Sequence, residues 1–195
     1  MTLHPVLVAG RWRAADASSE FRARDPRTGD AVGDTYPTSR WSDVDEALDA
    51  AAAAARALRA ASPDVVADFL EGYADRIEAR AEEICALAGQ ETALPTETRL
   101  AGSELPRTTG QLRKAAAAAR AGDWAQATID TTAGIRSALE PIGPVVVFGP
   151  NNFPLAFGSA SGGDFAAAIA AGNPVIAKAH PLHPGTTRLL AEEAY

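Results

Sequence analysis

The segment from Val145 to Ala177 places the tightest constraint on the fold of this chain. It begins and ends with short, uninterrupted apolar runs, Val145–Phe148 and Val175–Ala177, as expected of strands that are buried on both faces. Between them, residues 162–171 are apolar on most sides and predict a helix. Strand, helix and strand at this spacing predict a βαβ unit with a right-handed crossover. Ligands of such parallel sheets lie outside the carboxyl ends of the strands.

The sequence before this unit predicts hairpins followed by helices. Residues 3–38 alternate apolar and polar runs around the turn sequence DPRTGD, which indicates small β-hairpins. Ser42 with Asp45 predicts a capping box at the start of a first helix, and Ser62-Pro63 predicts the start of a second. The second helix has an apolar stripe that continues to Ile84. A third helix is expected over 96–121, with a break or kink at Pro106.

Residues 127–140 alternate with a period of two, which predicts an extended arm. Ile129, Ala133, Ile135 and Leu139 are expected on one face of this arm. The chain therefore divides into residues 1–123 (hairpins and helices), an arm of the oligomerisation type over 124–140, and the start of a parallel sheet over 141–195. A last helix is expected from about Gly185 to Tyr195.

Composition excludes several classes of partner. The net charge of −7, without a basic run, argues against nucleic acid or an anionic membrane as the partner of these 195 residues. No window approaches 18 apolar residues, and the N-terminus lacks the basic and apolar regions of a signal peptide. A single cysteine fits a reducing compartment. These features predict a soluble, cytoplasmic protein.

Common catalytic motifs are absent from the sequence. It contains neither G-x-G-x-x-G nor the phosphate-binding G-x-x-x-x-G-K-[ST] pattern. Ala160 occupies the serine position of a sequence that otherwise resembles a nucleophile elbow. His180 and His183 are too few for a metal site without a third ligand nearby, so no metal is predicted. Cys85 falls on the apolar stripe of a helix, as a buried and inert thiol does.

The loop that follows the first buried strand is the strongest candidate for chemistry. It reads Gly149-Pro150-Asn151-Asn152-Phe153-Pro154, in which prolines stiffen the backbone around two asparagines. A fixed amide donor at this place suits a developing oxyanion. The alternative is a turn whose asparagine side chains cap the following helix. Composition alone leaves both interpretations open.

The same region resembles the aldehyde dehydrogenase superfamily. The run VVVFGPNNFPLAFGSASGGDFAAAIAAGNPVIAKAHPLHP is similar to its first cofactor-binding strands. Together with ETALP and RTTGQLR, it resembles the branch that oxidises 2-oxoglutarate semialdehyde (2,5-dioxopentanoate) and fatty aldehydes with NADP. The resemblance covers essentially the whole chain. It implies an α/β fold in which N-terminal helices and a β-arm lead into an incomplete Rossmann-like parallel sheet.

The resemblance also implies roles for individual residues. Asn152 matches the asparagine whose amide helps to hold the thiohemiacetal oxyanion, and is the expected catalytic residue. Lys178 matches a lysine that contacts the adenosine ribose, with His180 beside it. Pro181 stands where NAD-preferring relatives carry a glutamate, so NADP is the expected cofactor, with NAD possible. The strand end along the nicotinamide half of the cofactor is matched by Phe148, Gly149, Pro150 and Asn151.

By the same resemblance, the catalytic cysteine and the glutamate that activates water belong to later sequence. The chain is therefore expected to be the N-terminal portion of an aldehyde dehydrogenase that oxidises a small-molecule aldehyde, similar to 2-oxoglutarate semialdehyde, to the carboxylic acid. It is expected to be inactive by itself and homo-oligomeric when complete. Glu192 and Glu193 near the last helix end, where the helix dipole disfavours anions, support that expectation. The alternative functions are a non-catalytic nucleotide-binding or regulatory remnant that pairs with a full-length relative, and an unrelated α/β protein that shares the loop.

Overall fold

The computed structural model describes residues 3–195 as hairpins, helices and a parallel strand pair in chain order. The strands are β1 (Val6–Val8), β2 (Arg11–Arg13), β3 (Ala17–Arg24), β4 (Ala31–Ser39), β5 (Thr128–Asp130), β6 (Ile135–Ser137), β7 (Val145–Phe148) and β8 (Val175–Lys178). The α-helices are α1 (Trp41–Leu58), α2 (Pro63–Ala79), α3 (Ala81–Thr92), α4 (Leu105–Ala121), α5 (Gly163–Ala170) and α6 (Pro184–Ala194). A π-helical segment spans Thr96–Glu104, and a 3₁₀ turn spans Asp123–Ala125. No helix within the described residues is long and apolar enough to cross a membrane.

The predicted N-terminal hairpins are present. β1 pairs with β2 and β3 pairs with β4, both antiparallel. The DPRTGD sequence closes the second hairpin, where the Asp25 carboxylate accepts the backbone N–H of Arg27 at 2.8 Å. Gly29 in the same turn has a φ of +79°, a conformation that glycine adopts without strain.

The predicted capping box at Ser42 is wrong. Helix α1 begins one residue earlier, at Trp41, and its N-cap Arg40 makes no side-chain cap bond. The hydroxyl of Ser42 instead donates to the Asp16 carboxylate at 2.6 Å. The Ser42 side chain therefore bonds the loop before β3 and does not cap the helix. Ser62 does cap α2, where its hydroxyl accepts the Val65 N–H at 3.4 Å.

The apolar stripe expected on one helix is divided between α2 and α3. The division falls at Arg80, whose backbone angles (φ −109°, ψ 18°) interrupt the helix. The Arg80 guanidinium bonds Glu83 and also reaches Glu192 and Glu193 on α6. These ion pairs also offset the unfavourable position of the two glutamates at the helix end.

The helix expected over 96–121 is confirmed in part, because its first third is π-helical. Pro106 lies in the first turn of α4, directly after the π-helical segment ends, so the expected break is a change of helix type. In a π-helix each backbone bond joins residues five apart. That geometry brings Arg99 next to Glu104, and their side chains form an ion pair of 2.7 Å. π-helical turns are rare, and those that occur are often found at functional sites.

One core joins the helices to the segment that follows β7. Tyr73 of α2 is fully buried, and its hydroxyl lies 2.9 Å from the Ala160 carbonyl and 3.0 Å from that of Leu190. Burial raises the pKa of Tyr73 well above its ordinary value. The largest apolar side chains buried with it are Leu70, Ile77, Ile84, Leu100, Leu112, Leu155, Leu189 and Leu190.

The βαβ unit has the predicted topology. β7 and β8 are parallel, and Val145 pairs with Val175 and Phe148 with Lys178. The expectation that β7 is buried on both faces is wrong in the described chain, because Val146 is 43% and Phe148 71% exposed. Within residues 3–195 the sheet contains only these two strands, so neither outer edge is paired with a further strand.

The arm expected over 127–140 is a hairpin rather than a single extended segment. β5 and β6 pair antiparallel around a turn in which the Asp130 carboxylate accepts the N–H groups of Thr132 and Ala133. Ile129 faces Arg136 across the ladder, so Ile135 lies on the opposite face. The predicted shared apolar face is therefore wrong, because the turn reverses the chain and resets the alternation.

Candidate functional site

The two strands of the βαβ unit end side by side. Phe148 and Lys178 are register partners, so the loops that follow β7 and β8 leave the same edge of the sheet. These strand ends and the loops that follow them carry every residue that the sequence analysis assigned to a site. The arrangement is that of a ligand site at the carboxyl ends of parallel strands.

The loop after β7 folds back tightly over the strand end. A Cβ atom on Gly149 would lie 2.5 Å from the Ser159 nitrogen, closer than real contacts allow. A Cβ atom on Gly158 would lie 2.3 Å from the Pro154 carbonyl oxygen. The Ser161 hydroxyl donates to the Leu155 carbonyl at 2.8 Å and closes the fold of the loop. Glycine is thus needed at Gly149 for close backbone approach.

Asn151 and Asn152 lie exposed at the start of this loop. Neither side-chain amide takes part in a hydrogen bond within residues 3–195. The following helix α5 begins at Gly163, and its N-cap Gly162 receives no side-chain bond. The capping alternative is therefore not what the structure contains. The Asn152 amide is free to donate to a ligand.

A buried ion pair holds the backbone around Asn152. The Glu104 carboxylate, 1% exposed as a residue, accepts the N–H groups of Leu155 (2.8 Å) and Ala156 (3.0 Å). Its second oxygen is bound by Arg99. Arg99 also lies 3.3 Å from the Asn152 carbonyl, and its guanidinium carbon is 4.2 Å from the Phe153 ring centroid. The loop is thus fixed on both sides of Phe153.

Two aromatic rings continue along the loop. Phe153 and Phe157 pack edge to face, with their centroids 5.1 Å apart. Arg107, in the first turn of α4, places its guanidinium carbon 4.8 Å from the Phe157 centroid. Edge-to-face rings and cations over rings are favourable arrangements. The result is a row in the order Arg99, Phe153, Phe157, Arg107.

Lys178 ends strand β8, and the loop that follows it carries His180 and the buried His183. Lys178 is exposed at the strand end. The rings of His180 and His183 stack face to face at 5.0 Å, and Nδ1 of His180 accepts the Leu182 N–H at 3.2 Å. Nε2 of His180 therefore carries the proton in the neutral ring and is a donor.

His183 links the two loops and was not assigned a role by the sequence analysis. Its Nε2 lies 3.2 Å from the Pro150 carbonyl, so it joins the end of β8 to the loop after β7. Burial lowers the pKa of His183 to about 4, and the ring is neutral at pH 7. Burial, followed by the charge of Lys178, lowers the pKa of His180. The stacked rings are thus held together without mutual repulsion.

Glu91 fixes the start of α6 and hence the end of the second loop. Its buried carboxylate accepts the N–H groups of Gly185 and Thr186, both at 2.8 Å, and the Thr186 hydroxyl at 2.7 Å. Burial raises the pKa of Glu91, against the effect of these donors. Sequence reasoning missed Glu91 and Glu104, because nothing local distinguishes a buried carboxylate from a solvated one.

Cys85 is not placed for nucleophilic chemistry. The thiol is buried on α3, and burial raises its pKa to about 11. A nucleophile needs the thiolate, which such a pKa disfavours. In the described part of the chain, no group of three or more His, Cys, Asp and Glu side chains is arranged to hold a metal ion.

Comparison with known proteins shows to which protein family this fold belongs. The model of the aldehyde dehydrogenase family matches residues 12–195. The chain belongs to the aldehyde dehydrogenase family. Both the predicted resemblance and the predicted α/β fold class are therefore confirmed.

Two curated relatives within the family carry the same enzyme name. Alpha-ketoglutaric semialdehyde dehydrogenase 2 of Azospirillum brasilense is 40% identical over 200 aligned residues, which cover 97% of this chain and 38% of the relative. An alpha-ketoglutaric semialdehyde dehydrogenase of Acinetobacter baylyi is 41% identical over 170 residues, or 83% of this chain and 32% of the relative. The chain thus matches about a third of the length of these aldehyde dehydrogenases, 38% of one and 32% of the other.

Solved aldehyde dehydrogenase structures share the fold. Succinate-semialdehyde dehydrogenase from Burkholderia pseudomallei has a TM-score of 0.84 at 25% identity, covering 98% of this chain and 39% of that one. A mutant of aldehyde dehydrogenase C from Pseudomonas syringae, solved with NAD⁺ and octanal, has a TM-score of 0.83 at 23% identity. The aligned region covers 98% of this chain and 38% of the P. syringae chain.

Proposed function

We propose that this chain forms the N-terminal part of an NAD(P)-dependent dehydrogenase that oxidises a semialdehyde of the 2-oxoglutarate semialdehyde type to the carboxylic acid. The observation that carries the proposal is the exposed Asn152 amide, which lacks a partner among the described residues while its backbone is fixed by Arg99 and Glu104. Two relatives named for alpha-ketoglutaric semialdehyde support the substrate class.

In this mechanism the Asn152 amide donates a hydrogen bond to the aldehyde oxygen as negative charge develops on it. A donor that is already fixed stabilises that charge without reorganisation during the reaction. Cys85 is excluded as the attacking thiolate by its burial and its raised pKa. The nucleophile and the base that activates water are therefore assigned to sequence beyond the matched segment of the relatives.

The residues at the two strand ends fit a nicotinamide dinucleotide, which accepts the hydride when bound. Lys178 offers an exposed ammonium at the end of β8, and Nε2 of His180 is a donor beside it. Phe148, Gly149, Pro150 and Asn151 line the end of β7, where close backbone approach is possible at Gly149. Lys178 would contact the ribose, and the strand end would face the nicotinamide half.

NADP is the preferred cofactor in this proposal. Pro181 places no carboxylate beside Lys178, so a 2′-phosphate meets attraction from the ammonium rather than repulsion. In the experiment, both nucleotides are titrated against the completed enzyme, meaning this chain continued by the part of the A. brasilense relative that follows the matched region. Tighter binding of NADP than NAD is expected, and Pro181→Glu should reverse the order. Tighter binding of NAD by the unsubstituted protein would overturn the preference.

Turnover of the completed enzyme tests the reaction itself. With NADP and 2,5-dioxopentanoate, we expect reduced nicotinamide to accumulate, whereas residues 1–195 alone give no turnover. Asn152→Ala should lower kcat about 100-fold, as the loss of one oxyanion donor does, with little change in KM. Gln90→Ala is the matched control, because it removes an exposed amide on helix α3 to which the proposal gives no role. A folded completed enzyme without turnover, or equal effects of the two substitutions, would contradict the proposal.

We also propose that the complete protein is a homo-oligomer assembled through the β5–β6 hairpin. The residues of both strands are exposed, including the large apolar side chains Ile129 and Ile135. An isolated two-stranded hairpin is marginally stable in water, and its open edges favour pairing with another chain.

A further inference from the structure

A substrate that carries a carboxylate needs a cation near the aldehyde site, and the structure offers few. This inference rests on the proposed function and asks which residue recognises the acid end of the semialdehyde. Arg99 is adjacent to Asn152, but its guanidinium is already bound to the buried Glu104 and the Asn152 carbonyl. Arg113 on α4 pairs with Glu78 and Asp75. Lys178 ends strand β8, at the proposed cofactor site.

Arg107 differs from these cations. Within residues 3–195, its guanidinium forms no hydrogen bond and no ion pair, although it is held 4.8 Å from the Phe157 ring centroid. The guanidinium lies over the ring, and its N–H groups have no partner among these residues. An arginine in this state can bind a carboxylate through two parallel hydrogen bonds.

The wall between Asn152 and Arg107 is apolar. Phe153 follows Asn152 directly and packs against Phe157, which is 38% exposed. A short aliphatic chain lying on these rings would keep its aldehyde near the Asn152 amide and its acid group near Arg107. Asn152 adjoins this aromatic pair along the chain and Arg107 adjoins it in space, so the pair can seat a chain with a polar group at each end.

We propose that Arg107 binds the carboxylate of the semialdehyde substrate and thereby determines the preference for acid-bearing over neutral aldehydes. The aromatic ring orients the guanidinium before the substrate arrives, which lowers the entropy lost on binding. Arg107 is thus a specificity residue, distinct from Asn152, which acts on the reacting oxygen.

The test compares two substrates of equal carbon number, 2,5-dioxopentanoate and pentanal, with the completed enzyme. Arg107→Met should lower kcat/KM for the acid about 10- to 100-fold, the loss expected for a charge-assisted hydrogen bond, mainly through KM. The value for pentanal should stay within about twofold, since its chain carries no charge to recognise. Arg107→Lys should restore part of the difference, because it returns the charge without the planar fork.

Lys114→Gln is the matched control, since it removes one positive charge two turns farther along the same helix. It should leave the ratio of the two kcat/KM values unchanged. Equal losses for acid and neutral aldehyde in Arg107→Met would assign the residue a structural role and overturn the inference. An Arg107→Met variant whose kcat/KM is unchanged for both substrates would overturn it as well.

A second measurement separates this inference from the proposed function. The side-chain Nε–Hε resonance of Arg107 in the 195-residue chain is followed by NMR during titration with glutarate, with 1-pentanol as the neutral comparison. A saturable shift with glutarate alone supports carboxylate recognition even if the completed enzyme oxidises neither aldehyde. In that case the proposed function fails while the inference stands. No shift would overturn the inference.

Discussion

At the residue scale, buried polar side chains shape the loops that carry the exposed ones. Glu104 binds two N–H groups of the loop after β7, and Glu91 binds two N–H groups at the start of α6. His183 joins the two loops through the Pro150 carbonyl. The exposed residues that the sequence marked, Asn152 and Lys178, depend on this support for their positions. Each buried group satisfies backbone donors or acceptors that the irregular loops would otherwise leave unpaired.

His183 should make the stability of the chain depend on pH. Its folded pKa of about 4 lies below the ordinary value of 6.5, so the unfolded state takes up the proton first as pH falls. The stability contribution is therefore present above about pH 6.5 and is lost as pH falls toward 4. His183→Gln removes this titration. Between pH 7 and 4.5, the free energy of unfolding in urea should fall about 2 kcal/mol further in the unsubstituted protein than in the variant. Equal falls would contradict the prediction.

At the element scale, the sequence predicted helices and strands well where local signals were strong. Ser62-Pro63 starts α2, Pro106 lies in the first turn of α4, and the two apolar runs form β7 and β8. The misassigned features depend on distant partners. Arg80 interrupts the helix where it binds α6, and Asp16 draws Ser42 away from capping.

Gly149 offers a test of how the loop after β7 is packed. Gly149→Ala would place a methyl group against the backbone of residues 157–159, and overpacking of this kind costs about 1–3 kcal/mol. Gly110→Ala is the matched control, because a Cβ atom there meets nothing within 4 Å and the residue lies inside α4. The control should stabilise by about 0.5–1 kcal/mol. Thermal unfolding of both variants checks this, and equal changes in Tm would argue against the tight loop.

At the scale of the whole molecule, the described chain leaves several large apolar side chains exposed on two of its sheets. One face of the β7–β8 pair exposes Val146 and Phe148, and the β5–β6 hairpin exposes Ile129 and Ile135. The chain spans 38% of the A. brasilense relative, so the remaining sequence of such an enzyme is available to extend the sheet. The hairpin projects apolar side chains on both faces, which suits insertion between neighbouring elements.

Replacing both hairpin isoleucines should separate assembly from folding. Ile129→Ser with Ile135→Ser changes side chains that are 66% and 61% exposed, so the free energy of unfolding of a subunit should change by less than about 0.5 kcal/mol. Subunit association of the completed enzyme should be weakened, because the apolar contacts of the hairpin are lost. Light scattering after gel filtration measures the molecular mass. An unchanged oligomer would contradict the role of the hairpin.

The sequence by itself determined the family, the βαβ unit, the main helices and the loop that carries Asn152. These depend on periodicity, on end signals and on short motifs, which are local properties of the chain. Only the tertiary structure decided that Glu91 and Glu104 are buried, that His183 joins the two loops, and that Arg107 is held over Phe157. The physical reason is that burial and pairing depend on partners that, for Glu91, Glu104, His183 and Arg107, lie 33 to 95 residues away along the chain.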